Sequence, residues 1–249
     1  MSVDRAVDRV LERLSDAQVE TLAKACEGDG AVSGLGAFIA GASPAGRDAV
    51  EKLASSLKSH PGLTGAGAAL ALRAALRARR EARARRSRPV WTGPGASGEQ
   101  RLTAGVLHEL LAGARERILL VSYATHTLSR LADDLAAAVE RGCEVDAVFE
   151  TEEDSAGAYS GPATPYAAVA GVRRWRWPLA ERPGSGASLH AKLLVVDRRR
   201  ALVGSANLTD RALHANLEAG VLIRDPEVAA ELHDHVAGLI GAGRLTRDP

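Results

Sequence analysis

Apolar positions in the first 26 residues recur every three to four places. Val3, Ala6, Val7, Val10, Leu11 and Leu14 fall on one helical face, with Ser2 placed to cap it. Ser43-Pro44 sets an N-cap followed by proline at the first helical position and predicts a second helix over 44–57. His60-Pro61-Gly62 ends it. A further helix is expected from about Gly67 into a block of alanine and arginine, two good helix formers. Residues 1–88 therefore read as a small all-α region. Ser87-Arg88-Pro89 and Thr92-Gly93-Pro94-Gly95 then punctuate the chain, and the domain boundary is placed there.

Beyond that point the pattern alternates. Residues 101–114 predict a helix, and 117–123 (Arg-Ile-Leu-Leu-Val-Ser-Tyr) a buried strand. Leu128, Leu131, Leu135, Ala138 and Val139 form a helical stripe closed by Gly142. Strands are expected at 144–149, 172–177, 190–196, 201–204 and 219–223, with a loop-rich stretch over 151–170 and a last amphipathic helix over 226–240. Such alternation predicts an α/β domain over 89–249, its sheet flanked by helices on both faces.

Composition leaves this picture intact: 249 residues, 46% hydrophobic and 25% charged, describe a globular chain rather than a disordered one. Two cysteines, Cys26 and Cys143, make no disulfide framework or cysteine zinc site and point to a reducing, cytoplasmic setting. The acidic N-terminus is not expected to be a signal peptide, and no apolar run is long enough for a membrane span.

Charge changes more. The net value of +1 hides local extremes: residues 73–90 carry +7 and residues 91–171 carry −7. The basic block is Arg73, Arg77, Arg79, Arg80, Arg83, Arg85, Arg86 and Arg88. It is either a solvated helix or linker answered by the acidic segment of the same chain, residues 91–171, or an arm that tracks phosphates on a nucleic acid.

The chemistry concentrates in His190-Ala-Lys192-Leu-Leu-Val-Val-Asp197, then Gly204-Ser205-Ala-Asn207, then Glu218. Residues two apart on a strand share a face, so His190 and Lys192 point together, and Ser205 and Asn207 repeat the spacing beyond the next strand. A hairpin would gather an imidazole, an ammonium, a hydroxyl and a carboxamide. That set suits a tetrahedral anion: Lys supplies charge, Asn supplies N–H donors, and His supplies a nucleophile or a proton.

This spacing, His-x-Lys-x4-Asp-x6-Gly-Ser-x-Asn, resembles the signature of the phospholipase D superfamily at every fixed position. The resemblance implies a phospholipase D-like mixed sheet and a phosphodiesterase. It implies His190 as the nucleophile that forms a phosphohistidine, Lys192 and Asn207 on the non-bridging oxygens, and Ser205 within the phosphate pocket. Glu218 would orient the imidazole, and Asp197 would be structural, bonded to a basic group away from the phosphate. No metal or cofactor is called for. The reaction does need a second imidazole, and none of His60, His108, His126, His214, His233 and His235 has a lysine two residues on. Single-motif members supply it by pairing two chains, which implies a homodimer with the site at its two-fold interface. The helical front, followed by Val90-Trp91-Thr92-Gly93-Pro94, further resembles the phospholipase D-like component of the bacterial DISARM antiphage system. The leading expectation is therefore a nuclease in phage defence, acting on DNA, with other defence proteins as partners and no membrane. A non-catalytic nucleic-acid-binding or assembly subunit and a lipid phosphodiesterase are the alternatives.

Two smaller features stay open. Trp175 and Trp177 among Arg173, Arg174 and Arg176 form either a base-stacking platform or ordinary strand packing. Arg198-Arg199-Arg200 is either a solvated hairpin tip or a backbone contact.

Overall fold

A computed structural model describes residues 2–27, 35, 38, 41–93, 101–123, 129–155, 166–184 and 186–248. The chain divides into two units, Met1–Ala84 and Arg85–Pro249.

In the first, helices α1 (Val3–Arg13), α2 (Asp16–Glu27), α3 (Pro44–Lys58) and α4 (Gly65–Arg85) bury one apolar cluster that includes Val10, Leu22, Leu53 and Leu72. The periodic stretch over 2–26 becomes two helices because Ser15 and Gln18 cap each other. The Ser15 N–H donates to Gln18 Oε1 (2.9 Å), and the Gln18 N–H donates to Ser15 Oγ (3.3 Å). Ser43 caps α3 through the Gly46 N–H (3.2 Å), with Pro44 opening the helix.

The second unit is built on a sheet of order β2-β1-β8-β7-β6-β3-β4-β5-β9. Its strands are β1 (Arg88–Thr92), β2 (Arg101–Leu102), β3 (Arg117–Ser122), β4 (Glu144–Phe149), β5 (Val172–Arg176), β6 (Leu193–Val196), β7 (Arg200–Gly204), β8 (Glu218–Ile223) and β9 (Thr246–Arg247). β3, β4 and β5 run parallel, and β6, β7 and β8 form an antiparallel meander beside them. Alternation along β3 sends Ile118 and Leu120 to one face and Leu119 and Val121 to the other. The first face is covered by α5 (Thr103–Ala112) and α6 (Ser129–Glu140), the second by α8 (Pro226–Gly241). A short α7 (Asp210–His214) precedes β8. The sheet is mixed, with helices on both faces.

Three departures from the sequence pattern bear on the site. The punctuated stretch before Pro94 contains β1, which pairs antiparallel with β8 from Arg88↔Leu222 to Thr92↔Glu218. Residues 101 and 102 extend the sheet beside β1 instead of starting a helix. β6 starts at Leu193, leaving His190 and Lys192 just ahead of it. On the β7 side the final rung is the Gly204 N–H to the Lys192 carbonyl (3.3 Å), and residues 190 and 191 have no strand partner among the described residues. Leu128 and His126 lie outside the described residues.

Candidate active site

The β6–β7 hairpin places the motif at its two ends. At the turn, Asp197 and Arg198 both take left-handed backbone (φ 55° and 54°), the geometry that suits a tight hairpin between twisted strands. The Asp197 carboxylate accepts the backbone N–H groups of Arg115, Glu116 and Arg117 at 2.8–3.2 Å. It thus ties the turn to the start of β3 through backbone donors, where a basic side chain was expected. Five residues of extended chain separate it from Lys192, roughly 16 Å.

The other motif residues gather at the opposite end. The Lys192 ammonium lies 3.2 Å from His190 Nδ1 and donates to the His190 carbonyl at 2.8 Å. An ammonium only donates, so in this contact Nδ1 is placed as the acceptor. Burial pushes the Lys192 amine below its ordinary value, while the Glu218 carboxylate opposes the shift. Ser205 and Asn207 lie in the loop after β7, Ser205 exposed and Asn207 half-buried. Glu218, the first residue of β8, accepts the Ser205 hydroxyl through Oε2 and the Asn216 amide through Oε1 (3.0 Å). No hydrogen bond joins Glu218 to His190 among the described residues.

Gly204 is required by this approach. It faces Gly220 across the β7–β8 pair, and a Cβ on it would sit 2.8 Å from the Ala219 carbonyl oxygen. With both Cβ atoms missing, β7 and β8 close enough for Ser205 to bond Ala219 and Glu218.

A family described as cardiolipin synthase, PLD-like domain, matches residues 107–240, a little over half of the chain. The chain belongs to this phospholipase D-like family. Cardiolipin synthase B of Escherichia coli (strain K12) is 29% identical over 136 residues, 54% of this chain and 31% of that one. The chain spans about a third of the length of the curated relatives it matches. Two solved structures share the fold. The phospholipase D family member Nuc from Salmonella typhimurium has a TM-score of 0.51 and 21% identity, over 66% of this chain and 97% of its own. NucT from Helicobacter pylori has a TM-score of 0.51 and 15% identity, over 63% and 97%.

This phospholipase D-like site includes groups that the motif spacing does not announce. Tyr123, just past β3, sets its ring 5.1 Å from that of His190 and 5.7 Å from Lys192 Nζ, because β3 runs beside β6. Glu150 and Arg182, both fully buried, form an ion pair (2.6 Å) behind the segment that leads to His190. Their signal was faint, one acid after a strand and one arginine in an irregular stretch. A cleft of about 480 Å³ opens next to His190, walled mainly by apolar side chains such as Val121, Val148, Leu193 and Leu239, with Trp177 and His235 also lining it.

The other candidates resolve by their partners. Arg173 bonds Asp146 and Glu144, Arg174 bonds Asp248, Arg176 bonds Glu153 and Asp154, and the Trp175 indole donates to Asp146 (2.7 Å). Trp175 and these arginines are strand packing, whereas Trp177 lies past β5, lines the cleft beside His190 and carries Arg182 over its ring. Arg198 pairs with Asp234 at the hairpin tip. His60 bonds the Ser56 carbonyl, His108 pairs with Asp134, and His214 faces Asp210 at 3.9 Å.

In the basic block, Arg73 pairs with Glu20 and Glu27, and Arg79, Arg80 and Arg83 converge on Asp16. The hydrogen bond from Arg80, with the neighbouring arginine charges, holds the Asp16 carboxyl below its usual range. The acids that answer these four arginines come from α2 and not from the acidic segment 91–171, and Arg77 lies 3.9 Å from Glu81 within the block itself. Arg85, Arg86 and Arg88 stay exposed. Among the described residues no helix is long and apolar enough to cross a membrane, and no cluster of His, Cys, Asp and Glu could hold a metal ion.

Proposed function

We propose that the chain is a metal-independent phosphodiesterase acting on nucleic acid, a nuclease that works as a homodimer in antiphage defence. The observation that carries this reading is Lys192 seated on His190 at the open end of the β6–β7 hairpin, with Ser205 and Asn207 on the adjoining loop. An incoming phosphate competes for the Lys192 ammonium and draws it off Nδ1. The ring proton can then move to Nδ1, which frees the Nε2 lone pair for phosphorus. The N–P bond forms as the P–O bond to the leaving alcohol breaks, and a second imidazole protonates that oxygen. The same imidazole then takes a proton from water, whose oxygen displaces His190 and releases the phosphate. Lys192 and Asn207 neutralise and orient the phosphoryl oxygens. Glu218 fixes Ser205, and Asp197 fixes the hairpin.

A second copy of the chain supplies the second imidazole. The face of β1 and β8 away from α5 supports this: Trp91 stands opposite Ala219 and Pro89 opposite Val221, with Trp91 40% and Val221 42% exposed. This apolar strip ends one residue from Glu218, which pairs with Thr92 on the same two strands, so a copy that covers the strip and wraps the strand end reaches the incomplete site. Arg85, Arg86 and Arg88 supply positive charge for a polyanion, DNA in this reading. The antiphage setting rests on the likeness of the helical front and the Val90–Pro94 pentapeptide to the DISARM component.

Cleavage of single- and double-stranded DNA in EDTA tests the reading. Wild type is expected to cut, and His190→Ala is expected to lose cutting while still binding. Undiminished cutting by the variant rejects His190 as nucleophile, and cutting by neither favours a binding subunit. The apolar cleft supports a second reading, a phosphodiester that carries an alkyl chain. Flotation with anionic liposomes distinguishes it, since only that reading expects the protein to rise with the vesicles.

A further inference from the structure

We infer that the buried Glu150–Arg182 pair is a positioning device for His190, an inference that rests on His190 being the proposed nucleophile. His190 precedes β6 and has no strand partner among the described residues, so the segment that leads to it has a part in fixing it. Among the described residues of 177–189 the one regular element is a short 3-10 turn, Leu179–Glu181. Arg182 clasps both ends of this segment. Its Nε and Nη2 donate to the Trp177 carbonyl (3.1 and 2.7 Å), and its Nη1 donates to the Ala187 carbonyl (2.9 Å). The remaining N–H groups meet Glu150, at 2.6 Å to Oε1 and 3.2 Å to Oε2, so all five donors of the guanidinium are used. Glu150 in turn accepts the Leu189 N–H through Oε2 at 2.9 Å. Leu189 is the residue before His190. The chain of bonds therefore runs from the end of β4 through Glu150 to the backbone that carries the imidazole.

The geometry is specific to arginine and glutamate. A lysine cannot hold two carbonyls and a carboxylate in one plane. Both side chains are fully buried, and a half-satisfied buried pair is worse than none, so the pair serves position rather than solubility.

The test compares full-length wild type, Arg182→Lys and Glu150→Gln. Three measurements are made on each: cleavage of a DNA oligonucleotide, the NMR signal of the His190 imidazole assigned against His190→Ala, and proteolysis between Trp177 and Leu189. Folded Arg182→Lys is expected to lose about a hundredfold in kcat with KM within about twofold, the penalty of a nucleophile displaced by roughly an ångström. Its His190 signal should shift or broaden, and the segment should become cleavable. Glu150→Gln keeps an acceptor for Leu189 and is expected to lose less, which covers the case where Arg182→Lys does not fold. Folded variants with wild-type kcat and an unmoved His190 signal overturn the inference. Should wild type cut nothing, the proposed function fails on its own account. The His190 signal still decides positioning, a shift in the variants upholding it and an unmoved signal overturning it.

Discussion

Glu218 holds Ser205. Its Oε2 accepts the serine hydroxyl while its Oε1 takes the Asn216 amide, so the carboxylate stands between two polar side chains at the mouth of the β7–β8 pair. The family resemblance assigns this acid to the imidazole. In the single chain it organises the serine loop, and its charge reaches Lys192, opposing the effect of burial on that amine.

That arrangement depends on Gly204. A methyl group there meets the Ala219 carbonyl at 2.8 Å, backbone that cannot rotate away. Gly204→Ala should therefore open the strand pair, at about 1–3 kcal/mol. The expected result is a melting temperature several degrees lower and a loss of cleavage larger than the loss of fold. Gly62→Ala, where an added Cβ meets nothing within 4 Å, is the control. Equal behaviour of the two variants in calorimetry and cleavage refutes the close-approach account.

Lys192 sets activity against stability. Its folded amine is held below its ordinary value, so the folded chain gives up this proton before the unfolded chain does. Stability then rises as pH climbs through the lysine range, and below it the folded state carries the desolvation penalty in full. Lys192→Met should abolish cleavage yet leave the protein as stable as wild type or more so at neutral pH, and should flatten the rise above pH ~9. Urea titrations at several pH values measure both. A clear loss of stability at neutral pH would mean that the bond to the His190 carbonyl outweighs the penalty.

Much of this was legible from local pattern. The helices of the first unit, the β3–α6–β4 crossover and the His-x-Lys hairpin each follow from periodicity or spacing that short-range sterics impose. What stayed illegible has a common cause. β1 is five residues with a proline among turn signals, and only its long-range partner β8 makes it a strand. β6 starts at Leu193 and leaves His190 ahead of it, which no property of residues 190–192 announces. Glu150 and Arg182 are distant in sequence, and their pairing becomes visible only when β4 and the segment after β5 are brought together. The partners of Arg73 and Arg79 could not be named, because the acids that meet them lie on α2, far upstream, and not in the acidic segment that follows the block.

The arginine block should divide into two behaviours. Asp16 and Glu27 are carboxyls held low by arginines of the block, and such pairs contribute stability that is present above the ordinary carboxylate range and lost as pH falls through their lowered values. Circular dichroism of the full chain from about pH 6 down to pH 2.5 should show helix loss setting in below pH ~4, and Asp16→Asn should lose part of that dependence. An acid transition unchanged by Asp16→Asn removes this cluster as its cause.

By contrast, the exposed trio Arg85, Arg86 and Arg88 should act on DNA and leave stability alone. Replacing all three with Gln is expected to weaken binding and reduce the salt dependence of the binding constant by up to about three in logarithmic slope, one for each phosphate left without its arginine. A slope identical to wild type removes these residues from the interface.

The apolar strip on β1 and β8 makes the shared-imidazole reading testable without catalysis. Trp91 and Val221 are each about two-fifths exposed, on the sheet face away from α5 and next to Glu218. A carboxylate planted there is buried without a partner if a second copy covers the strip, and is harmless if water does. Wild type should sediment as a dimer at micromolar concentration, while Val221→Asp should sediment as a folded monomer and lose cleavage. Leu70→Asp, at an exposed apolar position on α4, should change neither property. A wild type that sediments as a monomer yet still cuts would mean that one chain carries a complete site, and the second proton donor would then have to be sought among its own histidines.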